Sequence, residues 1–300
     1  MILVAGATGL LGSEICRLLC EAGKPVRALV RQTSAPERVA RLEQFGAEIA
    51  RGDLKDRDSL DAACEGADVV ISGATVITTA QPGDSFEATD AAGTISLVDA
   101  ASQAGAKQFI FISFDTSRFP EAPLVNAKRA VETHLVQSGV PYTILHCSLF
   151  MEIWLSPMLF ADPSAGTAKV YGRGTDGIRY VSAFDVAKIA VQCIGNPAAH
   201  NATIPVGGPD RISQRDAVRI VEETFEKPFS TIEIPEQALE AQWASAPDPF
   251  NKTFAALMLG VARGLDADSE PPFEQFPTRL KSVREFARSL ASDAPGAQHT

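Results

Sequence analysis

Three glycines near the start of the chain are spaced and placed to bind phosphate. Gly6, Gly9 and Gly12 follow the apolar run Ile2–Ala5 and precede a segment whose leucines and isoleucine recur at helical spacing. Gly6 can supply a tight turn, Gly9 can let the backbone approach a pyrophosphate, and Gly12 can let a helix pack closely on the strand. The first amides of a helix attract anions through their N–H groups and the helix dipole. This strand, turn and helix predict a dinucleotide site, although the spacing is G-x-x-G-x-x-G rather than G-x-G-x-x-G.

The end of the next predicted strand bears on the choice of nicotinamide cofactor. This strand, Pro25–Arg31, ends in a basic residue, and the next carboxylate along the chain is Glu37. An acidic residue here would hold the ribose hydroxyls of NAD, whereas a guanidinium pairs with the 2′-phosphate of NADP. Arg31 therefore favours NADP over NAD, unless it is only a solvated charge at a strand end. Hydroxyl and amide side chains that could assist it follow directly, at Gln32, Thr33 and Ser34.

Two further predicted strand ends are expected to meet the same ligand. Asp53 and Leu54 follow the third strand and could hold an adenine amino group and its ring. Asp53 is equally well explained as a turn or helix-start carboxylate. Gly73 and Ala74, after the fourth strand, are small where a cofactor ribose would pass.

The elements that must position these residues alternate regularly. Short apolar runs and helical patterns follow one another up to His146, which predicts an α/β fold with a Rossmann-type, doubly wound parallel sheet over residues 1–146. The helix that follows the loop 78–84 is expected to run without interruption through Ala104. The alternation then breaks. Residues 147–291 are predicted to form a smaller α/β substrate-binding annex interleaved with the core sheet, and residues 292–300 a disordered tail.

The annex begins with large apolar side chains. Phe150, Met151 and Trp154 suit an aromatic or quinone-like substrate, because rings stack and thioethers make adaptable contacts. The same spacing also fits an ordinary core helix. His146, at the preceding strand end, is a candidate pocket acid or hydrogen-bond donor, or a structural histidine. Residues 235–264 are expected to form two helices, either a lid over the pocket or a dimer contact.

Composition narrows the classes of function. The 300-residue chain has a net charge of −10, which argues against a nucleic-acid partner because phosphate binding needs a basic surface. The sequence has no His/Cys cluster with metal-ligand spacing, so no metal is predicted. The apolar stretch 142–161 contains His146, Glu152 and Pro157 and is interpreted as a buried strand and helix rather than a membrane span. Five unpaired-looking cysteines, with no signal peptide before the first strand, indicate a cytoplasmic protein.

Several segments together resemble the atypical short-chain dehydrogenase/reductases, and in particular the NmrA-like NAD(P)-binding family. That family includes redox-sensing regulators and quinone reductases and is related to isoflavone-reductase-like enzymes. The likeness runs over residues 1 to about 230 and is strongest in the first 150. The segments that carry it are Gly6–Gly12 (GATGLLG), Val26–Arg31, Gly52–Leu54, Phe109–Ser113 and Asn126–Lys128.

The resemblance implies roles for Lys128 and Ser113. Typical members of the superfamily use Tyr-x-x-x-Lys, in which the tyrosine is the general acid and the lysine holds the nicotinamide ribose. Lys128 matches the lysine and Ser113 the strand-end serine, but the residue four before Lys128 is Leu124. Lys128 could act without a tyrosine, as in isoflavone-reductase-like enzymes. Alternatively the site binds dinucleotide without turnover, or Lys128 is only an exposed helix lysine.

The residues and the resemblance together imply an NADP-dependent oxidoreductase that reduces a quinone-like or conjugated carbonyl compound, with Lys128 as its catalytic residue. The alternative is a non-catalytic NAD(P)-sensing regulatory protein that binds a protein partner, and a homodimer is compatible with both. The predicted cofactor contacts are Gly6, Thr8, Gly9, Leu10, Leu11, Gly12, Arg31, Asp53, Leu54, Gly73, Ala74, Thr75, Ser113 and Lys128.

Overall fold

The computed structural model describes residues 1–264 and 276–293. Its largest element is a parallel sheet of seven strands. These are β1 (Ile2–Ala5), β2 (Val26–Val30), β3 (Glu48–Arg51), β4 (Val69–Ser72), β5 (Gln108–Ser113), β6 (Tyr142–Cys147) and β10 (Ala202–Val206). Their spatial order is β10-β6-β5-β4-β1-β2-β3, so the predicted doubly wound α/β fold is confirmed.

Helices cover both faces of this sheet because its strands alternate their side chains between two cores. In β1, Ile2 and Val4 pack into one core, whereas Leu3 and Ala5 pack into the other. The first core is closed by α1 (Leu10–Glu21), α2 (Pro36–Phe45) and α7 (Ala183–Gln192). The second core is closed by α3 (Arg57–Cys64), α4 (Thr94–Gln103) and α5 (Pro123–Gln137).

The strand order reverses at β1, which defines where a ligand can enter. The chain proceeds outward from β1 through β2 and β3 on one side, and from β4 through β5, β6 and β10 on the other. In doubly wound sheets, ligands bind beyond the carboxyl ends of the strands at such a reversal. The loops that follow β1 and β4 flank this crevice.

The predicted uninterrupted helix before Gly105 is wrong in its first half. Residues Phe86–Gly93 form a π-helical segment, and α4 begins only at Thr94. The Ser85 hydroxyl starts the segment by accepting a hydrogen bond from the N–H of Ala88 at 2.9 Å. Apolar periodicity does not distinguish a π turn from an α turn, although π turns are frequent at functional sites.

The annex adds two small sheets and a helical layer. Strands β7 (Ala161–Asp162), β8 (Thr167–Tyr171) and β12 (Ser230–Ile234) form one sheet, and β9 (Gly177–Ile178) pairs with β11 (Ile212–Ser213). The annex helices are α6 (Met151–Trp154), α8 (Gln214–Phe225), α9 (Glu236–Ala244), α10 (Pro249–Ala262) and α11 (Val283–Asp293).

Core and annex are interleaved, because β10 and α7 come from the annex part of the sequence yet belong to the seven-stranded sheet and its helical layer. The boundary at residues 146 and 147 stays an interpretation. The last helix continues to Asp293, and residues 294–300 of the predicted tail lie outside the described residues. Within the described ranges, no helix combines the length and apolarity needed to cross a membrane.

Candidate functional site

A cavity of about 640 Å³ opens at the strand-order reversal and extends into the annex. This volume is within the range of small-molecule and cofactor sites, roughly 300–1,000 Å³. The structure places every residue predicted to contact a cofactor on its wall; their roles as ligands stay a prediction. These wall residues are Gly6, Thr8, Gly9, Leu10, Leu11, Gly12, Arg31, Asp53, Leu54, Gly73, Ala74, Thr75, Ser113 and Lys128.

The glycine turn between β1 and α1 is shaped by backbone contacts that exclude side chains. Gly6 has a φ of +80°, and a Cβ there would come 2.9 Å from the nitrogen of Ala74. A Cβ at Gly12 would overlap the carbonyl oxygen of Gly6. Gly9 occupies the N-cap position of α1 without a capping side chain, so the first amides of the helix remain available to an anion.

Arg31 extends from the end of β2 to the cavity and is held there by an acidic partner. Its Nη1 donates to Oδ2 of Asp84 at 2.7 Å. The Asp84 side chain is 1% exposed and also accepts from Lys55 Nζ at 2.5 Å. Burial acts to raise the pKa of Asp84, but the hydrogen bonds from Lys55 and the Gln81 N–H, with the charge of Arg31, bring this pKa below its usual value.

These contacts fasten a loop across the crevice. We call residues 76–84 the strap loop; its residues Val76 to Gln81 lie on the cavity wall. Asp84 ties the end of the strap loop to Arg31, and Thr33 Oγ1 donates to Gln81 Oε1 at 2.5 Å. The strap loop therefore orients the side chains at the end of β2 from the opposite side of the crevice.

A second guanidinium, which the sequence prediction missed, belongs to the same end of the cavity. Arg38 lies on the cavity wall, and its Nη1 makes a long hydrogen bond of 3.5 Å to the carbonyl oxygen of Thr8. Arg38 is the third residue of α2, so it lies in the first turn of the helix that directly follows Arg31, Thr33 and Ser34. The sequence could have indicated Arg38, because Pro36 marks the start of a helix and Arg38 lies in its first turn.

Asp53 has the contacts of a turn residue as well as a place on the cavity wall. Its Oδ1 accepts a hydrogen bond from the N–H of Lys55 at 2.9 Å, closing a local turn. This bond leaves Oδ2 for another donor, so the structural and the ligand interpretation are compatible.

Lys128 is buried at the inner end of the cavity and is not an exposed helix lysine. It is 7% exposed, its Nζ donates to the carbonyl oxygen of Ile112 at 2.9 Å, and the same atom lies 4.6 Å from the centre of the Phe111 ring. Burial lowers the pKa of Lys128, while the nearby Asp90 carboxylate acts to raise it. An ammonium group with a lowered pKa releases its proton more readily.

Asp90 is a further residue that the sequence prediction missed. It lies in the π-helical segment, is 2% exposed, and accepts a hydrogen bond from the N–H of Val76 at 3.1 Å. Burial raises the pKa of Asp90, and the charge of Lys128 opposes this rise. Asp90 thus holds the start of the strap loop through Val76 and also interacts with the charge of Lys128.

Leu124, four residues before Lys128, lies on the cavity wall and is 4% exposed. It presents an aliphatic side chain one helical turn from Lys128, and this side chain has no proton to donate.

The predicted substrate residues divide into two groups. Phe150 and Trp154 lie on the cavity wall. Met151 does not: its side chain is 0% exposed and packs in the annex core. It lies at the start of the short helix α6, beside Trp154, but is covered by the annex core instead of lining the cavity.

The structure does not place His146 on the cavity wall either. Its Nε2 lies 3.1 Å from Oε1 of Glu132, and it stands behind the cavity wall rather than on it. Glu132 in turn accepts a hydrogen bond from Ser113 Oγ, and Ser113 is on the wall. The strand end was correctly located, but side chains alternate along β6, and this one points toward α5.

Helix α10 forms part of the cavity through Phe254 and Leu257. One of the two helices expected over residues 235–264 is therefore a cavity wall. Among the described residues, no group of three or more His, Cys, Asp or Glu side chains could hold a metal ion.

The residues at the strand-order reversal fit a dinucleotide. The backbone cradle at Gly6 and Gly12 has no room for a Cβ, the helix amides beside it are uncapped, and Arg31 and Arg38 add positive charge where a second phosphate would lie. Fold and site together define a doubly wound α/β protein with a dinucleotide-type phosphate cradle.

The chain belongs to the NmrA-like family, whose model matches residues 1–269. It is 29% identical to the Photosystem II assembly factor Ycf39 of Synechocystis, over 92% of this chain and 85% of that protein. It is 29% identical to the NAD(P)H azoreductase of Xenophilus azovorans, over 97% of this chain and 98% of that protein. In fold it resembles an NADPH-dependent quinone oxidoreductase from Escherichia coli, with a TM-score of 0.76 and 20% identity over 97% of this chain and 100% of the other.

Proposed function

We propose that this chain is an NADPH-dependent reductase of quinone-like or conjugated carbonyl compounds. The observation that carries the proposal is the continuity of the cavity. One wall holds the glycine turn and Arg31, and the same cavity continues to Lys128 and the aromatic side chains Phe150 and Trp154. A dinucleotide bound at the first end would extend its reactive end toward the second.

The choice of NADPH rests on the charges at the end of β2. Arg31 and Arg38 provide two guanidinium groups, and Thr33 and Ser34 lie between them on the same wall. Guanidinium–phosphate hydrogen bonds are among the stronger polar contacts. The name of the azoreductase relative is consistent with a nicotinamide cofactor in this family.

The bound nicotinamide would supply a hydride. The chain supplies the rest: the Ile112 carbonyl holds the ammonium group of Lys128 at the cavity wall, where it has further N–H groups to donate. Its ammonium group would stabilise the negative charge that develops on the substrate oxygen during the reduction. Phe150, Trp154 and Leu257 provide an apolar wall against which a flat conjugated substrate can pack. Such a protein, with five free thiols, suits a reducing cytoplasmic compartment.

The test is NADPH oxidation by the purified protein against a panel of quinones, enones and azo dyes, with NADH in parallel. We expect acceptor-dependent oxidation that prefers NADPH. NADPH binding without oxidation in the presence of every acceptor would contradict the proposal.

A second candidate is a dinucleotide-binding protein that acts through a protein partner. The observation in its favour is Leu124, which removes the hydroxyl from the expected position on the cavity wall. The relative from Synechocystis carries the name of an assembly factor. NADPH binding that changes the affinity of a captured partner, without turnover, would favour this candidate.

A further inference from the structure

We propose that Ser113, Glu132 and His146 form a proton relay that connects the cavity with solvent. The inference rests on the proposed reductase function and deepens it. Reduction of a carbonyl or quinone consumes a proton as well as a hydride, and Leu124 cannot donate that proton. The relay supplies this proton from the side of the sheet that α5 covers.

The relay is a continuous hydrogen-bonded path. Ser113 lies on the cavity wall, is 4% exposed, and donates its hydroxyl proton to Oε1 of Glu132. The same oxygen lies 3.1 Å from Nε2 of His146, and Oε2 of Glu132 lies 3.2 Å from that nitrogen. The Glu132 carboxylate thus contacts both the serine and the histidine, so it can take a proton from one and give a proton to the other.

Exposure changes along this path in the direction that a relay needs. The Glu132 side chain is 18% exposed and that of His146 is 22% exposed. His146 is not on the cavity wall, so its exposed edge reaches solvent by a different route from the substrate. Histidine is the side chain that exchanges protons most readily near neutral pH, which suits it to the solvent end.

Charged side chains from two elements lie near the relay. Lys128, one turn before Glu132 on α5, interacts with the Glu132 carboxylate. Asp115, in the segment after β5, interacts with His146. From the other side, β10 brings the uncharged Pro205 opposite His146. Glu132 therefore lies between Lys128 and His146, and His146 lies between the carboxylates of Glu132 and Asp115.

The transfer balances as follows. When the substrate has accepted the hydride, its developing oxyanion takes the hydroxyl proton of Ser113, forming the new substrate O–H bond. A protonated His146 gives its Nε2 proton to the Glu132 carboxylate, and the carboxyl group so formed gives its proton to Ser113 Oγ. His146 is left neutral and takes a proton from water, so each turnover consumes one hydride from NADPH and one solvent proton.

The chain offers a matched control on the same helix. His134 Nε2 lies 2.7 Å from Oδ1 of Asp99, and their side chains are 35% and 41% exposed. This pair is also a histidine–carboxylate contact between α5 and a neighbouring element, but neither residue lies on the cavity wall. His134→Gln removes a comparable surface contact without interrupting the relay.

The test compares Glu132→Gln, His146→Gln, His146→Arg and His134→Gln with the wild type, using the best acceptor from the panel. For each protein, kcat, KM, the NADPH dissociation constant, the melting temperature and the solvent deuterium isotope effect on kcat are measured. His146→Arg keeps a cation beside Glu132 but cannot pass its proton on at neutral pH.

We expect Glu132→Gln and both His146 variants to lose roughly tenfold or more in kcat and to show a larger solvent isotope effect. NADPH affinity and KM should stay within about twofold of the wild type, and His134→Gln should behave as wild type. Glu132 and His146 variants that match His134→Gln in kcat and isotope effect would overturn the relay while leaving the reductase intact. Losses that follow only a lower melting temperature or weaker NADPH binding would also overturn it. A wild type that binds NADPH and reduces no acceptor would overturn the reductase and the relay together.

Discussion

The two ends of the cavity are built in different ways. The phosphate end is centred on the turn between β1 and α1, in which Gly6 and Gly12 lie against backbone atoms of the loop after β4 and of the turn itself. The reactive end is assembled from β5, α5, α6 and α10, which contribute Ser113, Lys128, Trp154 and Leu257. Backbone contacts constrain the first end to one ligand shape, whereas side chains from distant segments shape the second. This difference indicates that the phosphate end determines which cofactor binds and the reactive end which substrate.

The largest effect is expected at the reactive end. Lys128→Ala should lower kcat by roughly 10²–10³-fold, the usual loss when one donor to a developing oxyanion is removed, because the buried ammonium group is lost. Turnover assays with NADPH titration in the same samples would measure it. The control is Lys107→Ala, whose side chain is 79% exposed and should leave kcat unchanged. Unchanged turnover in Lys128→Ala would remove this residue from the mechanism.

At the phosphate end, the largest effects should come from substitutions that disturb the backbone of the glycine turn. Gly12→Ala places a Cβ against the Gly6 carbonyl, so we expect about 1–3 kcal/mol less stability together with weaker NADPH binding. The comparison is Gly73→Ala, whose Cβ would lie 3.5 Å from Ile112 Cγ1, an ordinary contact. Thermal unfolding and fluorescence titration measure both. Equal stability of the two variants would mean that the turn tolerates side chains and that its shape does not select the ligand.

The two arginines at the phosphate end should determine the preference for NADPH over NADH. Arg31→Ala and Arg38→Ala should each weaken NADPH binding by about 1.5–3 kcal/mol, the usual contribution of a hydrogen bond to a charged group. NADH binding should be nearly unchanged, because NADH lacks the 2′-phosphate. Parallel titrations of both cofactors decide this. Equal losses of NADPH and NADH affinity would show that the guanidinium groups do not bind the 2′-phosphate.

The smallest expected effect is on substrate packing. Trp154→Ala should raise KM for aromatic acceptors several-fold, corresponding to about 0.5–1.5 kcal/mol for an aromatic contact, with NADPH affinity unchanged. Met151→Leu, in the adjacent core position, should leave KM unaltered. Steady-state kinetics with two acceptors of different size would test the pair. If Met151→Leu changed KM as much as Trp154→Ala, the assignment of the cavity wall would be wrong.

The sequence predicted the phosphate end of the cavity better than the reactive end. The glycine turn and the strand ends were located because their residues act through local backbone geometry. The Arg31–Asp84 ion pair joins residues 53 positions apart, so the loop 78–84 was predicted but its attachment across the crevice was not. Met151 and His146 lie in the elements predicted for them but not on the cavity wall. Adjacent side chains of β6 face opposite sides of the sheet, and apolar periodicity does not show which of the buried faces borders a cavity. Asp90 was missed because a π turn has no signature in apolar periodicity.

The most direct test of the central claim is a single-turnover measurement of acceptor reduction with NADPH carrying deuterium on either face of nicotinamide C4. If the cavity holds the cofactor in one orientation toward Lys128 and the aromatic wall, deuterium on one face should slow the reduction and deuterium on the other should not. Reduction that is insensitive to deuterium on both faces would contradict hydride transfer within this cavity.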